Sequence, residues 1–328
     1  MSYFLGFDAA KLKLDWALIN EQGVELAYGK VTNESVAIAE LLLTVSGNYP
    51  DTTIICVVES TGCYHYNLVD TAHAVGMWCV VCNPIITKQQ VKATIRGKKT
   101  DRTDALMVAR LGLRGEGRLY TEELYRPTKH LARSVQKLSI FRDAFAGHTR
   151  HLTKLAEAQL STDASEFMQA VQTAIADARA QLYRDLATSA SGSDFWLLQT
   201  IKGVGPYIAA SVLGEVQDIR NFPSAKALIA FAGFDPKIRQ SGKALNSTGR
   251  LTKRGSTYLR RSIFIGASVA RQHDPQFKAL YDKKRAEGKS YKVATIVVAR
   301  KLLSVIRSVW LSGKPYKVPE GFGVDRNI

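Results

Sequence analysis

Two apolar runs in the first sixty residues each end in an acid, and this pattern constrains the fold most strongly. Asp8 closes the first run, and Glu59 closes a continuous run (TIICVVE) that is typical of a parallel strand buried on both faces. A helix with Asn33 as its cap separates the third and fourth strands. The elements predicted to this point are strands at Tyr3–Asp8, Leu14–Ile19, Val24–Val31 and Thr53–Glu59 and a helix at Ser35–Ser46.

The order of these elements predicts a ribonuclease-H-like α/β fold. A helix at Tyr64–Val75, a strand at Met77–Cys82 and further helices continue that order. In this topology the first and fourth strands are neighbours in the sheet, so Asp8 and Glu59 would lie side by side. A helix from about Thr100 to Arg114 carries Asp101 and Asp104 on one face, since they are three residues apart. If this helix packs beside the strand ends, all four acids converge.

Four converging carboxylates favour metal-dependent phosphodiester chemistry. Carboxylates held together in water repel one another, and a bound divalent metal is the usual reason that such a cluster is tolerated. Two-metal phosphoryl transfer needs acids that hold ions against both the attacking and the leaving oxygen. The alternative for Asp101 and Asp104 is that Asp101 caps the helix and Asp104 lies in its first turn, where acids favour the dipole. That alternative leaves Asp8 and Glu59 unexplained.

The middle of the chain predicts a helical hairpin with coiled-coil character. Pro127 marks the change, and Thr128–Thr188 contains no proline, with Gly147 and Ser161–Ser165 as its main interruptions. Apolar residues recur at heptad spacing in both halves, which favours dimerisation, although a globular three-helix subdomain is the alternative. The positions are Leu131, Leu138, Phe145 and Leu152, with Phe141 and Leu155 beside them, then Phe167, Val171, Ile175, Ala178, Leu182 and Leu186.

Positive charge is concentrated in the C-terminal part. The formal net charge of +16 divides into −1 over residues 1–100, +2 over 101–190 and +15 over 191–328. A field of that sign and size favours a polyanion, and nucleic acid is the commonest one. After a linker at Ser189–Asp194, this basic domain is predicted to be mostly helical, with its last helices at Thr257–Arg271, Gln276–Glu287 and Tyr291–Leu311. The domains are therefore predicted at residues 1–126, 127–190 and 191–328.

A Gly-Val-Gly turn near residue 204 predicts a helix–hairpin–helix element. Gly203 and Gly205 would let backbone N–H groups approach a phosphate, and the following helix offers its positive end. Such elements contact nucleic-acid backbones without reading sequence. The alternative is a tight turn between helices with no ligand. Lys202 and the charge of the domain favour contact with nucleic acid.

A basic loop before residue 256 contains a candidate nucleophile, Ser241. Residues 236–261 contain eight Lys or Arg and no acid, and Gly242 permits a sharply turned backbone. A serine among cations is suited to attack on phosphate, because the cations neutralise the phosphoryl oxygens. Most serines in basic loops merely bind phosphate, and Ser247, Thr248 and Ser256 compete for the role. The nucleic-acid contacts expected in this domain are Lys202, Gly203, Gly205, Arg239, Lys243, Arg250, Lys253 and Arg254.

Other classes of site find little support. Cys79 and Cys82 have the C-x-x-C spacing of zinc and redox sites, but they lie in a β-like apolar run with no completing ligands nearby, so buried thiols are expected. The most apolar C-terminal stretch is interrupted by Arg300, Lys301 and Arg307, which argues against a membrane span. The absence of a secretory pattern at the N-terminus predicts a cytoplasmic protein.

The motifs taken together resemble the DEDD transposases of the insertion sequence 110 family over nearly the whole chain, in order and in spacing. Phe7, where the family more often has an aliphatic residue, is a minor departure. The motifs that carry the resemblance are Gly6-Phe-Asp8 with Lys11, Val58-Glu59-Ser60-Thr-Gly62, Lys99-Thr-Asp101-Arg-Thr-Asp104, Gly203-Val-Gly205, Phe231-Ala-Gly-Phe-Asp235, Gln240-Ser-Gly-Lys243 and Thr252-Lys-Arg-Gly255.

The resemblance implies a RuvC-like N-terminal domain, a coiled-coil insertion and a C-terminal transposase domain. It further implies that Asp8, Glu59, Asp101 and Asp104 bind Mg²⁺ (or Mn²⁺), and that Ser241 forms a covalent phosphoserine link to DNA. The implied partners are donor and target DNA, a non-coding bridge RNA and further copies of the chain in a dimer or tetramer, in the bacterial nucleoid. Two alternatives stay open: a RuvC-like junction nuclease in which water attacks, and a non-catalytic nucleic-acid-binding protein.

Overall fold

The chain forms two compact units, Met1–Glu122 and Glu123–Ile328. The computed structural model describes residues 1–60, 62–84, 100–155, 158–188, 192–238, 248–253 and 255–321. The first unit is α/β, and the second is mostly helical. The division into three functional domains remains a prediction, and the helical pair that it places in the middle belongs by its packing to the second unit.

A six-stranded mixed sheet forms the centre of the first unit. Its order is β3-β2-β1-β4-β5-β6, in which β1, β4 and β5 are parallel and the other pairs are antiparallel. This order confirms the predicted ribonuclease-H-like fold, and the short edge strand β6 was not predicted. The strands are β1 (Ser2–Ala9), β2 (Lys13–Ile19), β3 (Glu25–Thr32), β4 (Thr53–Glu59), β5 (Trp78–Cys82) and β6 (Arg118–Leu119).

Helices cover both faces of the sheet because its central strands are apolar on both sides. Leu5 and Phe7 pack in one cluster with α1 (Ser35–Asn48) and α2 (Tyr66–Ala74). Val57 packs in another with Val108 and Leu111 of α3, which spans Asp101–Leu113. Cys79 and Cys82 are buried as predicted, and burial raises the pKa of the Cys82 thiol to about 11.

The predicted cap of the first helix was wrong. Glu34 occupies the N-cap position of α1 and its side chain makes no capping hydrogen bond. The Asn33 side-chain amide instead donates hydrogen bonds to the carbonyl oxygens of Ala10 and Tyr64, 2.9 Å from each. Asn33 therefore joins two loops of the unit and leaves the helix end uncapped by a side chain.

The second unit is built from eight α-helices within its described residues, with a small two-stranded hairpin. Its core contains Phe195, Leu213, Ile263 and Leu302, all at most 1% exposed. The helices are α4 (Arg126–Leu155), α5 (Ala158–Thr188), α6 (Gly192–Leu198), α7 (Pro206–Val216), α8 (Ala225–Phe231), α9 (Thr257–His273), α10 (Pro275–Ala286) and α11 (Tyr291–Ser312), and the strands are β7 (Pro236–Ile238) and β8 (Thr248–Leu251).

The predicted helical hairpin is present as α4 and α5, which pack against each other. Two predicted interruptions were wrong, because α4 continues through Gly147 and α5 continues through Ser161–Ser165. The predicted linker was also partly wrong, since Gly192 already begins α6 and residues 189–191 lie outside the described part of the chain. The last three helices match their predicted bounds within two residues at each end.

The predicted apolar stripe of α5 divides into a buried and an exposed part. Leu182 and Leu186 enter the core of the unit, whereas Phe167 is 47% exposed. Phe167 meets Phe141 and Phe145 of α4 at ring-centroid distances of 6.1 and 5.3 Å. Whether this aromatic cluster joins two copies of the chain remains a prediction. No helix in the described ranges is both long and apolar enough to cross a membrane.

Candidate active site and nucleic-acid interface

Asp8 and Glu59 lie at the same end of two neighbouring parallel strands. The register of β1 and β4 pairs Phe7 with Val58, and each acid is the next residue along its strand. Both side chains are partly exposed at the sheet edge. The carboxyl end of a parallel sheet is where such folds bind their ligands, because the loops there diverge and leave space.

Gly6 lets the helix that carries the other two acids approach this edge. A β-carbon on Gly6 would lie 2.7 Å from the Ala109 α-carbon, and closer still to the Ala109 nitrogen and the Ala105 oxygen of α3. Real side chains cannot adopt such separations, so only glycine permits this packing of helix on strand. Asp101 and Asp104 occupy the first turn of that helix.

Thr100, not Asp101, caps α3. The Thr100 hydroxyl accepts a hydrogen bond from the Thr103 backbone N–H, and the Thr103 hydroxyl accepts one from the Thr100 N–H, which completes a capping box. The alternative reading, in which Asp101 is the cap, was therefore wrong for this residue. The N-cap is therefore a threonine, and Asp101 and Asp104 both lie in the first turn that follows it.

The four predicted acids share one electrostatic neighbourhood. Burial raises the pKa of Asp8 above its usual range, and the negative charges of Asp104, Asp101, Asp15 and Glu59 raise it further. A like charge disfavours ionisation only when it is close. The structure thus brings together the two strand ends and the first turn of α3, as the topology required.

Asp15 is a fifth acid that sequence reasoning missed. It lies directly opposite Asp8 in the β1–β2 ladder, and its side chain is only 3% exposed. The Tyr28 hydroxyl donates a hydrogen bond to one of its oxygens at 3.1 Å, and the Lys30 ammonium lies 3.6 Å from the same oxygen. The signal that could have found it is an acid on the second strand of the meander, within an otherwise apolar run.

Lys13 joins this acidic group from the first position of β2. Its ammonium lies 2.8 Å from Asp15 Oδ2 and 2.6 Å from Asp101 Oδ2, so a single cation bridges β2 and α3. The two carboxylates hold the Lys13 pKa above its usual value. Sequence reasoning did not select Lys13, because its partner Asp101 is 88 residues away.

The donor chemistry of the group fits a hard divalent cation. All of its ligating atoms are carboxylate oxygens, which Mg²⁺ and Mn²⁺ prefer, and their mutual repulsion at Asp8 is the cost that such an ion would relieve. As the side chains stand, no three acidic, histidine or cysteine residues of the described chain are arranged to hold a metal ion. Asp101 is held by Lys13 instead.

In the second unit, the Gly-Val-Gly turn lies between α6 and α7. Gly203 has a φ of +92°, and a β-carbon there would lie 2.5 Å from the Gly266 oxygen of α9, so helix packing alone requires this glycine. Gly205 caps α7 in an exposed position with open space around its α-carbon. Lys202 is exposed beside it. A packing role is therefore established for Gly203 and is absent for Gly205.

The hairpin that carries the basic loop is described only at its base. Ser241, Arg239, Lys243 and Arg254 lie outside the described residues, and so does Ser247. Arg250 lies in β8, and Lys253 is exposed in a left-handed turn with a φ of 53°. The Thr252 N–H donates to the Asp235 oxygen at 2.9 Å, which joins the two sides of the base.

Ser256 has a structural role in this base. Its hydroxyl caps α9 by accepting from the Leu259 N–H at 3.0 Å and donates to Glu215 Oε2 at 2.7 Å. Glu215 is 3% exposed and forms a two-point ion pair with Arg133 of α4, at 2.5 and 2.9 Å. These contacts account for Ser256 structurally, and the Arg133–Glu215 pair is a contact that sequence reasoning missed.

The sheet order, with an acid at the end of each of two central strands, defines a ribonuclease-H-like domain. Comparison with known proteins agrees. A family model for DEDD transposases of IS110, described as Transposase, matches residues 5–162, and one described as the Transposase IS116/IS110/IS902 family matches residues 196–282. The two models together match about three-quarters of the chain. The chain belongs to the IS110 family of transposases, enzymes that cleave and transfer DNA strands.

Relatives from two bacterial genera are similar along most of their length. The pilin gene-inverting protein of Moraxella lacunata is 25% identical over 316 residues, which cover 95% of this chain and 97% of that protein. The transposase for insertion sequence element IS1111A of Coxiella burnetii is 24% identical over 264 residues, or 71% and 72% of the two chains. RuvC of T. thermophilus, solved with a Holliday junction substrate, covers 37% of this chain at 13% identity and a TM-score of 0.29; the fold assignment rests on the sheet order and not on this likeness.

Proposed function

We propose that this transposase is a site-specific recombinase that mobilises its own insertion sequence under the guidance of a bridge RNA. Ser241 would be the nucleophile, and Asp8, Glu59, Asp101 and Asp104 would hold Mg²⁺ (or Mn²⁺). The observation that carries the proposal is the convergence of these four acids at one end of the central strands. The negative charges of Glu59, Asp101 and Asp104 all lie close enough to raise the pKa of Asp8. Membership of the family supports the rest.

The covalent step conserves the energy of the DNA backbone. The Ser241 oxygen would bond to phosphorus and lose its proton, while the bond to the 3′ oxygen of the DNA strand breaks and that oxygen takes up a proton to become a 3′ hydroxyl. In the second step a 3′ hydroxyl attacks the phosphoserine and releases Ser241. A bound divalent ion would supply charge neutralisation at the attacking and leaving oxygens. The product is rejoined DNA, which a water nucleophile would not give.

The basic second unit is proposed to bind the DNA and the RNA. Its C-terminal part has the +15 balance of charge, whereas the first hundred residues, which carry Asp8 and Glu59, are nearly neutral. Lysine and arginine contacts to phosphates give affinity without sequence readout, so sequence choice would fall to base pairing with the bridge RNA. The recombination named for the Moraxella relative, the inversion of a pilin gene, is consistent with cutting and rejoining at defined sites.

A suicide-substrate assay tests this proposal. A nick just on the 5′ side of the cleavage site lets the short fragment that bears the new 3′ hydroxyl dissociate after attack, so rejoining is prevented and a covalent protein–DNA adduct accumulates. We expect adduct with the wild-type chain and with Ser247→Ala, a control in the same loop, and none with Ser241→Ala, with Asp8→Ala or when the bridge RNA is omitted.

Three results would count against it, each in a different way. Adduct that persists in Ser241→Ala would refute the nucleophile. Hydrolysed ends without adduct, and cleavage that survives Ser241→Ala, would establish a junction nuclease that uses water. Function that survives alanine at both Asp8 and Glu59 would establish a non-catalytic binding protein.

A further inference from the structure

The feature that the proposed reaction leaves unused is the ammonium group of Lys13 among the acids. It lies 2.6 Å from Asp101 Oδ2 and 2.8 Å from Asp15 Oδ2. Asp101 is a proposed metal ligand, so a protein cation is placed where a metal ion would have to compete for the same oxygen. The Lys13 side chain is 42% exposed and that of Asp101 is 55% exposed, so both are accessible to solvent and to ions from solution.

The backbone fixes Lys13 in this position. The Ala10 N–H donates to the Lys13 oxygen at 3.0 Å, which closes the connection between β1 and β2, and Lys13 is the first residue of β2. Lys13 and Asp15 are two residues apart on one strand, so their side chains leave the same face of the sheet. Asp8, opposite Asp15, shares that face, and α3 packs on it through Gly6.

Two neighbouring cations within the described residues, Lys30 and Arg102, make other contacts. Lys30 lies 3.6 Å from Asp15 Oδ1, on the other side of that carboxylate. Arg102 follows Asp101 in the sequence but turns away, to Glu25 at 2.5 Å and to the face of the Tyr28 ring. Lys30 therefore offers a matched comparison, because it is the same residue type on the same sheet and forms an ion pair with the same Asp15.

We propose that Lys13 is a built-in counter-cation, which holds Asp101 beside the strand ends while no metal is bound and is displaced when a divalent ion takes that carboxylate. Lys13 is thus a positioning residue that acts through Asp101. The inference rests on the proposed function in one respect, namely that these acids bind a divalent metal.

Electrostatics give the direction and the size of the effect. A divalent ion bound by Asp101 would lie on the order of 5 Å from the Lys13 ammonium, and at that distance in a water-like dielectric their repulsion weakens binding by roughly tenfold. The metal must also break the ion pair. Removing the ammonium should therefore tighten metal binding, although the metal-free protein then keeps five carboxylates with one cation fewer.

Calorimetric titration of the full chain with Mn²⁺, without nucleic acid, measures this affinity directly. We expect Lys13→Met to bind Mn²⁺ about tenfold more tightly than the wild type, and Lys30→Met to change the affinity by no more than about threefold. Lys13→Arg keeps the charge and should bind like the wild type. In EDTA the midpoint of thermal unfolding should fall for Lys13→Met, and saturating Mn²⁺ should restore it.

The outcomes separate this inference from the function on which it rests. If the wild type binds no Mn²⁺, the proposed metal site fails and the counter-cation fails with it. If the wild type binds Mn²⁺ and Lys13→Met binds it equally or more weakly, the metal site stands and Lys13 is only a structural ion pair. An equal gain in Lys13→Met and Lys30→Met would show a general charge effect and would also overturn the inference.

Discussion

Replacing Gly6 with alanine should displace the helix that carries two of the four acids. The new β-carbon would lie 2.7 Å from the Ala109 α-carbon, whereas ordinary contact begins at 3.4 Å. The helix α3 and the strand β1 must therefore separate by about 1 Å, because backbone atoms in a packed core cannot yield otherwise. Overpacking of this kind costs about 1–3 kcal/mol in the free energy of unfolding.

The same displacement should also slow the reaction. Asp101 and Asp104 move with α3, while Asp8 and Glu59 stay with the sheet. A misplacement of about 1 Å at a reacting site costs on the order of a hundredfold in rate. Urea unfolding measures the first effect, and a plasmid recombination assay under conditions where the variant is folded measures the second.

Gly47→Ala is the control for Gly6→Ala. Gly47 lies near the end of α1 in the same unit, and a β-carbon there meets nothing within 4 Å. Its replacement should leave recombination unchanged and should alter the free energy of unfolding by less than about 1 kcal/mol, in the stabilising direction. A Gly6→Ala protein that matches the wild type in both measurements would refute the packing argument for the site.

Three further perturbations follow from the same structure. Glu215→Ala leaves the partly buried Arg133 without its two-point partner, and we expect a loss of about 3 kcal/mol in urea unfolding. Asp8→Asn should stabilise the metal-free protein at neutral pH, because the pKa of Asp8 is raised in the folded state and its charge there is unfavourable. This gain should disappear as the pH falls through the folded-state pKa toward the ordinary value of 3.8, because Asp8 is then protonated in both the folded and the unfolded state. With Mg²⁺ present the order should reverse, and thermal unfolding in EDTA and in Mg²⁺ checks both. Gly203→Ala should destabilise the second unit by more than about 2 kcal/mol, whereas Gly205→Ala should leave stability nearly unchanged, and similar effects of the two would contradict the packing role of Gly203.

The sheet could be predicted because its signals are local. The apolar run that ends at Glu59 is continuous, and the three strands before it are separated by short turns. The order of these strands along the chain therefore predicts which strands pair in the sheet. β6 could not be predicted, because two residues with no apolar pattern pair only through the tertiary fold. Gly147 and Ser161–Ser165 predict breaks because glycine and serine have low helix propensity, yet packing overrides that preference and both helices continue.

The acids of the candidate site could be selected from the sequence, but not the contacts that organise them. Asp8 and Glu59 follow apolar strands, which is a visible pattern. The ion pair of Lys13 with Asp101 joins residues 88 positions apart, and that of Arg133 with Glu215 joins residues 82 apart. No spacing in the sequence shows such pairs, because they depend on how α3 lies on the sheet and how α4 lies on α7. The structural role of Ser256 is hidden in the sequence for the same reason, because its partner Glu215 is 41 residues away.

The nature of the covalent link tests the central claim most directly. The adduct formed on a nicked suicide substrate is digested with protease and nuclease, and the peptide that retains a nucleotide is identified by mass spectrometry. We predict a single phosphodiester link at Ser241, formed by the wild-type chain and absent in Asp8→Ala. A link at another residue, or cut DNA with no link to protein, would contradict the account.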